Sequence, residues 1–308
     1  MDEKRDDERR ESGIPGGGAG RKDEVGRSGV YPASGPYPPG DAEIRGQASW
    51  GQGERGAAGY EDHGESGLSY SGGQVLGAYS GESIGEALHV QIPVDDAKLE
   101  GELSAPRELR GVVVFAHGSG SSRHSPRNQY VARVLQQAGM ATLLFDLLTE
   151  EEDVIDSRTA ELRFNIALLA KRLARATDWL MGSSEIRNVK LGYFGSSTGA
   201  AAALVAASGR ADVAAIVSRG GRPDLAGPAL IRVKAPTLLI VGEQDQQVLD
   251  LNHGALAQLN CEKRLEVVPG ATHLFEEPGT LEDAARRARE WFEQHLGLRG
   301  WNKQTQAA

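Results

Sequence analysis

The segment from Val189 to Ser208 contains residues arranged for nucleophilic chemistry. An apolar run, VKLGYFG, ends in Gly195-Ser196-Ser197-Thr198-Gly199, and an alanine-rich stretch follows it. This is the G-x-S-x-G pattern, in which a strand turns sharply into a helix and holds the central serine strained and exposed. The sharp turn demands small residues on both sides of the serine. Ser197 is therefore the predicted nucleophile, and the alternative is a glycine-rich turn without chemistry.

A serine hydroxyl is a weak nucleophile and needs a base that is oriented by an acid. After such a turn, the acid and the histidine follow the serine in that order, each after a later strand. Asp245 follows the apolar run PTLLIVG, and His273 follows LEVVPG. We therefore predict Asp245 as the acid and His273 as the base. Asp224 is the alternative acid, and the alternative for His273 is an ordinary surface-loop histidine.

Two backbone N–H groups are needed to stabilise the oxyanion of an acyl-transfer intermediate. Thr198 directly follows the predicted nucleophile and is expected to supply one of them. The loop HGSGSSRH is rich in small residues, and we expect Ser119 to supply the other, with Gly118 and Gly120 letting the backbone bend toward the substrate. The alternative for this loop is phosphate binding, although neither common phosphate-binding glycine motif occurs in the chain.

Three arginines follow the predicted strands at the edge that carries the nucleophile. Arg123 follows the oxyanion loop, and Arg219 and Arg222 follow the run VAAIVS. Ligands of open α/β sheets bind at this edge, and a guanidinium group is well suited to a carboxylate. We predict that Arg123 or Arg219 orients an anionic group of the substrate. The alternative is that these arginines pair with acids such as Asp224 or the TEEED run at 149–153 and only brace the loops. The TEEED run itself is expected to be a solvated loop, at most part of the pocket rim.

These side chains require a sheet that places several strand ends side by side. The runs EALHVQIPV and AKLEGELSA alternate apolar and polar residues, which predicts an antiparallel hairpin that turns at Asp95-Asp96. Continuous apolar runs predict buried strands in GVVVFAHG, ATLLFD, VKLGYFG, VAAIVS, APTLLIVG and RLEVVPG. Helical patterns lie at 127–139, 158–182, 198–208, 248–260 and 280–296. This alternation predicts an α/β fold with a mostly parallel sheet and helices on both faces.

The composition of the 308 residues argues against several classes of function. A net charge of −9 argues against nucleic-acid binding. A single cysteine, Cys261, excludes an internal disulfide, and the seven histidines form no zinc motif, so we expect neither a metal nor another cofactor. There is no apolar run of about 18 residues, and the start MDEKRDDERRE is not a secretory signal. We therefore expect a cytoplasmic protein that does not contact a membrane.

Residues 1–85 differ in composition from the rest of the chain. Glycine, serine, proline and charged residues dominate, as in GIPGGGAGRK and YPASGPYPPG. Such a segment cannot bury enough apolar surface to offset its ordering entropy, so we predict a disordered tail. It is either a plain tether or a tract that binds a protein partner. Residues 86–298 are predicted to form one catalytic domain, and 299–308 a flexible C-terminus.

The apolar runs and turns together resemble the dienelactone hydrolase-like group of α/β hydrolases. The resemblance is carried by FAHGSGSSRHSPRNQYVA, LLFDLLTEEE, FGSSTGAAAAL, SRGGRPDLA, LLIVGEQD and VPGATHLFEEPGTLE. It implies an α/β-hydrolase fold with eight strands, the second of them antiparallel, and a triad of Ser197, Asp245 and His273. The enzymes that name the group use a cysteine nucleophile, whereas this chain carries a serine.

The predicted function is that of a cofactor-free serine hydrolase that cleaves carboxylic esters, thioesters or lactones of small acyl substrates. Acyl transfer to an acceptor other than water would use the same residues. A non-catalytic binding or scaffold protein on the same fold is the alternative from another class. Only residues 219–234 separate the runs VAAIVS and APTLLIVG, where many α/β hydrolases insert a helical lid. We therefore predict no cap domain and a shallow pocket.

Overall fold

The computed structural model describes residues 87–95, 97–183, 186 and 188–297. The predicted tail, the predicted C-terminal segment and Asp96 of the predicted hairpin turn lie outside these ranges. The strands are β1 (Leu88–Val94), β2 (Ala97–Ser104), β3 (Gly111–Ala116), β4 (Met140–Phe145), β5 (Lys190–Ser196), β6 (Val213–Arg219), β7 (Thr237–Gly242) and β8 (Lys263–Val268). The α-helices are α1 (Pro126–Gln137), α2 (Glu150–Thr159), α3 (Ile166–Met181), α4 (Thr198–Ser208), α5 (Gln246–Gln258) and α6 (Thr280–His295).

All eight strands belong to one sheet with the order β1-β2-β4-β3-β5-β6-β7-β8. The second strand, β2, pairs antiparallel with both β1 and β4, and every other neighbouring pair is parallel. The predicted α/β-hydrolase sheet with an antiparallel second strand is therefore confirmed. Because β3 and β5 to β8 run in the same direction, the loops that leave them meet at one edge.

Helices cover both faces of the sheet, as the continuous apolar strand runs predict. Side chains alternate along a strand, so Val112 and Val114 of β3 join a core cluster with α3 and α4. Their neighbours Val113 and Phe115 join a second cluster with α1 and α6. A strand that is buried on both faces must be apolar at every position, which is why these runs do not alternate with polar residues.

The stretch after β4 differs from the sequence prediction. The TEEED run was expected to be a solvated loop and a helix was expected to begin near residue 158, but α2 already begins at Glu150. The Thr149 hydroxyl accepts the N–H of Glu152, and the Glu152 carboxylate accepts the N–H of Thr149 at 2.9 Å. This capping box, with acidic residues in the first turn, stabilises a helix N-terminus. The prediction was wrong although the T-x-x-E signal is present in the sequence.

The connection between β6 and β7 contains no cap domain, as predicted. It holds a 3₁₀ helix, Pro223–Arg232, which is interrupted at Gly227. This helix accounts for most of the chain between Arg219 and Thr237, so no helical lid is inserted there. Among the described residues, no helix is both long and apolar enough to cross a membrane.

Candidate active site

Ser197 lies at the turn between β5 and α4 with a strained backbone. Its φ is 50° and its ψ is −125°, a region that residues other than glycine rarely adopt and that is enriched at functional sites. A side chain on Gly199 would place Cβ 2.1 Å from the Ala116 carbonyl oxygen, and one on Gly195 would place it 2.4 Å from Ala200 Cα. The two glycines of the motif are therefore required by the close approach of α4 to the sheet.

The tight packing of this turn gives a testable prediction about stability. Gly199→Ala should lower the free energy of unfolding by about 1–3 kcal/mol, because overpacking forces the backbone to shift. Gly254→Ala is the matched control, since Gly254 lies inside α5 and its added Cβ would meet no atom within 4 Å. That control should raise the free energy of unfolding by up to about 1 kcal/mol through helix propensity. Urea unfolding measures both, and equal effects would contradict the prediction.

The predicted acid and base are in direct contact. Asp245 follows β7 and directly precedes α5, and His273 lies in the loop after β8. The His273 Nδ1 and Asp245 Oδ2 atoms are 2.6 Å apart, and the side chains are 40% and 14% exposed. A side chain on Gly242 would clash with the Ala271 carbonyl at 2.4 Å, so this glycine lets the two loops approach. Asp224, the alternative acid, instead forms two hydrogen bonds with Arg222.

The His273 loop lies beside the strand that neighbours the nucleophile. A Cβ built on Gly220, at the end of β6, would lie 3.7 Å from His273 Cε1 and 3.1 Å from its carbonyl oxygen. The preceding residue, Arg219, pairs with Ser196 in the sheet. The N–H of Arg222 donates to the Ser197 carbonyl at 3.0 Å. The structure thus brings the serine and the histidine–aspartate pair to the same sheet edge.

The two predicted oxyanion residues are also neighbours. The hydroxyls of Ser119 and Thr198 are 3.1 Å apart and share a hydrogen bond. Within the described ranges, neither of their backbone N–H groups donates to another residue. Thr198 is the first residue of α4, where N–H groups have no partner inside the helix. A Cβ on Gly118 would lie 2.7 Å from Ser197 Cβ, so the loop needs glycine there to approach the serine.

His117 fixes the oxyanion loop to the end of β4. Its Nε2 accepts the N–H of Leu147 at 3.0 Å, so Nδ1 carries the proton and donates to the Gly118 carbonyl at 2.9 Å. Burial lowers the pKa of His117, which keeps the imidazole neutral. In the part of the chain that the structure describes, no group of three or more His, Cys, Asp or Glu side chains could hold a metal ion.

Arg123 is paired with an acid that the sequence analysis did not single out. Its backbone N–H donates to Asp146 Oδ1 at 2.7 Å, and its guanidinium group contacts Asp146 Oδ2. The pair fixes the oxyanion loop to the residue that follows β4. This contact agrees with the alternative interpretation, in which Arg123 braces a loop, although its partner is Asp146 and not Asp224 or the TEEED run.

Arg219 is a buried cation under the His273 loop. It is 7% exposed, its Nη2 donates to Asn128 Oδ1 at 3.1 Å, and its guanidinium lies over the rings of Phe194 and Phe275. Among the described residues, no carboxylate pairs with it, and Nη1 has no hydrogen-bond partner. Burial, and to a smaller extent the charge of Arg127, lower the pKa of Arg219 to about 9. A buried charge without a counter-ion is costly.

A strained serine at a strand-to-helix turn and a histidine–aspartate pair thus lie at one edge of the sheet, and comparison with known proteins identifies the family. The model of the dienelactone hydrolase family matches residues 99–296. The chain belongs to the dienelactone hydrolase family.

Solved structures of similar proteins include a second member of the dienelactone hydrolase family. The crystal structure of a dienelactone hydrolase from Anabaena variabilis is 58% identical, has a TM-score of 0.67, and matches 68% of this chain and 98% of that one. Est1E from Butyrivibrio proteoclasticus has a TM-score of 0.58 at 16% identity, matches 68% of this chain and 99% of its own, and shows that the fold is shared. The family and the Anabaena enzyme support a hydrolase.

Two curated relatives of this dienelactone hydrolase family member come from strains of Mycobacterium tuberculosis. Both are named as candidate phosphoribosyl transferases and are 58% identical to it over 208 residues. The match covers 67% of this chain and 46% of each relative, so the chain spans about half the length of the curated relatives it matches. Their name therefore describes proteins of which more than half lies outside the match.

Proposed function

We propose that this protein is a serine hydrolase that cleaves carboxylic esters, thioesters or lactones of small substrates through an acyl-enzyme. The observation that carries the proposal is the 2.6 Å contact between His273 and Asp245 beside the strained Ser197. A neighbouring acid gives the histidine a fixed tautomer, and the strained turn exposes the serine hydroxyl.

In the proposed reaction Ser197 Oγ attacks the acyl carbon and His273 takes its proton. Because His273 Nδ1 is bound to Asp245, Nε2 is the nitrogen that accepts the proton, and the carboxylate stabilises the resulting imidazolium. The N–H groups of Ser119 and Thr198 stabilise the oxyanion, with the N-terminus of α4 adding a favourable dipole.

The second half of the proposed reaction uses the same groups. The tetrahedral intermediate collapses, the bond to the leaving oxygen or sulfur breaks, and His273 returns the proton to the leaving group. A water molecule then gives its proton to His273 and attacks the acyl-enzyme, which releases the acid and restores Ser197. A serine in place of the cysteine of dienelactone hydrolases makes this general base essential, since a hydroxyl is a weaker nucleophile than a thiol.

A fluorophosphonate probe tests the proposal because it reacts with activated serines. We expect wild-type protein to be labelled at Ser197, and Ser197→Ala to remain unlabelled. Wild-type protein that stays unlabelled, or equal labelling of the variant, would support a non-catalytic protein on this fold. A hydrolysis screen over small esters, thioesters and lactones then identifies the class of substrate.

The predicted recognition of an anionic group by Arg123 or Arg219 has a separate kinetic test. Arg219 lies beside the His273 loop, the side toward which the leaving group departs in the proposed reaction. We expect Arg219→Met to lower kcat/KM about ten- to hundredfold for an ester with a carboxylate on its alcohol part, and less for its neutral analogue. Arg123→Met is compared in the same way. Equal losses on both esters in both variants would leave only the bracing role.

A further inference from the structure

A depression beside the oxyanion loop lies on the side of α2 rather than on the side of the His273 loop. Its lining includes Ser119, Gly120 and Thr198 and the apolar side chains of Leu147, Leu148 and Leu169. None of its lining residues comes from the His273 loop. In the proposed reaction His273 protonates the leaving group, so the alcohol part of an ester lies toward that loop. In that reaction the side of the depression is left for the acyl chain.

Arg163 enters this depression in a fixed orientation that Asp156 determines. Asp156 is 1% exposed, and its Oδ1 accepts the backbone N–H groups of Leu162 at 2.7 Å and Arg163 at 3.0 Å. Its Oδ2 accepts Arg163 Nε at 2.5 Å, and its backbone carbonyl accepts Arg163 Nη2 at 2.9 Å. Two of these hydrogen bonds hold the guanidinium group itself and the other two hold the backbone that carries it, so the plane of the group is fixed before a substrate arrives.

One guanidinium nitrogen remains available on the side of the oxyanion loop. Arg163 Nη1 lies 3.8 Å from a Cβ built on Gly120, which lines the depression. In the described part of the chain Nη1 has no hydrogen-bond partner, and the Arg163 side chain is 24% exposed. Gly120 directly follows Ser119, and consecutive Cα atoms are about 3.8 Å apart. Nη1 is thus within reach of an acyl group that extends only a few carbons from the scissile carbonyl.

The charges in the depression decide what kind of group suits this donor. Its charged lining side chains are Asp153, Asp156 and Arg163, so two carboxylates face one guanidinium. His117, which also lines it, is kept neutral because burial lowers its pKa. An anionic acyl group would meet a net negative charge, whereas a neutral oxygen gains the hydrogen bond without that repulsion.

We propose that Arg163 is a specificity-determining residue that binds a neutral oxygen acceptor, a keto or hydroxyl group, on a short acyl chain. The proposal rests on the proposed ester hydrolysis and names the class of acyl group that this site accepts. Asp156 is the positioning residue that holds the guanidinium group. Acyl chains with such an oxygen are preferred over purely alkyl chains because an alkyl chain offers the fixed Nη1 donor no acceptor.

The test compares two esters of the same shape. In 4-nitrophenyl 4-oxopentanoate a carbonyl oxygen stands where 4-nitrophenyl 4-methylpentanoate has a methyl group. We expect wild-type protein to have a kcat/KM about ten- to hundredfold higher for the oxo ester, and Arg163→Met to lose this preference while still cleaving the methyl ester. The control is Arg158→Met, because Arg158 is exposed on α2 and does not line the depression. It should keep the preference.

A second Arg163 variant and a third ester complete the test. Arg163→Lys retains a positive charge beside Asp156, but its single nitrogen cannot contact Asp156 and also occupy the position of Nη1. It should fold, as shown by its melting transition, and also lose the preference. 4-Nitrophenyl monosuccinate carries a carboxylate at the distal end that accelerates its spontaneous hydrolysis. Once that rate is subtracted, its enzymatic kcat/KM should be lower than that of the oxo ester. An unchanged preference in both Arg163 variants, or fastest cleavage of the succinate, would overturn this inference while leaving ester hydrolysis intact. Wild-type protein that cleaves none of the esters would instead overturn the proposed function.

Discussion

Ser197→Ala is expected to lower kcat/KM for every substrate that the wild-type protein hydrolyses, by at least about 10⁴-fold. The reason is that alanine provides no oxygen to form the acyl-enzyme, so only slow direct attack by water remains. Steady-state hydrolysis of a chromogenic ester, with the spontaneous rate subtracted, measures the loss.

The neighbouring serine provides the matched control for this result. Ser196 is 7% exposed at the end of β5 and has no role in the proposed reaction, so Ser196→Ala should lose less than about tenfold. Its smaller effect would reflect only local packing. Comparable losses in the two variants would show that the effect comes from disturbing the turn and not from removing the nucleophile.

Asp245→Asn is expected to lower kcat by about 10⁴-fold with little change in the fold. An amide at this position can donate to His273 Nδ1, which favours the tautomer with its proton on Nε2 and leaves no base to face Ser197. The rate of hydrolysis and the melting temperature, measured on the same preparation, separate the loss of chemistry from a loss of stability.

Asp224→Asn is the control for the acid because it tests the other aspartate that the sequence proposes. Asp224 contacts Arg222 and not His273, so the substitution should reduce kcat by less than about tenfold. Its pair with Arg222 is only partly buried, and such pairs contribute little to stability. A loss in Asp224→Asn as large as that in Asp245→Asn would contradict the assignment of the acid.

The fold followed from the sequence because its signals are local. Continuous apolar runs such as GVVVFA can be buried on both faces only in a central strand, and the helical patterns between them require a layered sheet. The two glycines around Ser197 indicated the turn because a tight strand-to-helix connection excludes side chains there, as the short distances from Gly195 and Gly199 show. Asp245 and His273 could be chosen because the acid and the histidine follow such a turn in that order, each after a later strand.

The start of helix α2 was not predicted, although the sequence contains its T-x-x-E capping signal. Its acidic and exposed character suggested a loop, and only one of its residues, Asp156, is buried. A helix with so little apolar contact is stabilised by its capping box and by the Glu152–Arg172 pair rather than by packing. Hydrophobic periodicity therefore could not find it.

The sequence by itself determined the strands, the sharp turn at Ser197 and the order of the candidate acid and base, because each depends on neighbouring residues. Only the tertiary structure decided which charged side chains meet. Arg123 reaches Asp146 because β3 and β4 are adjacent in the sheet, and Arg219 is buried because α1 and the His273 loop close over it. Asp156 holds Arg163 because the chain turns back after α2. The partners of an ion pair can be far apart along the chain, and nothing in the sequence links them. Which charged groups pair and which are buried is therefore decided when the sheet is assembled.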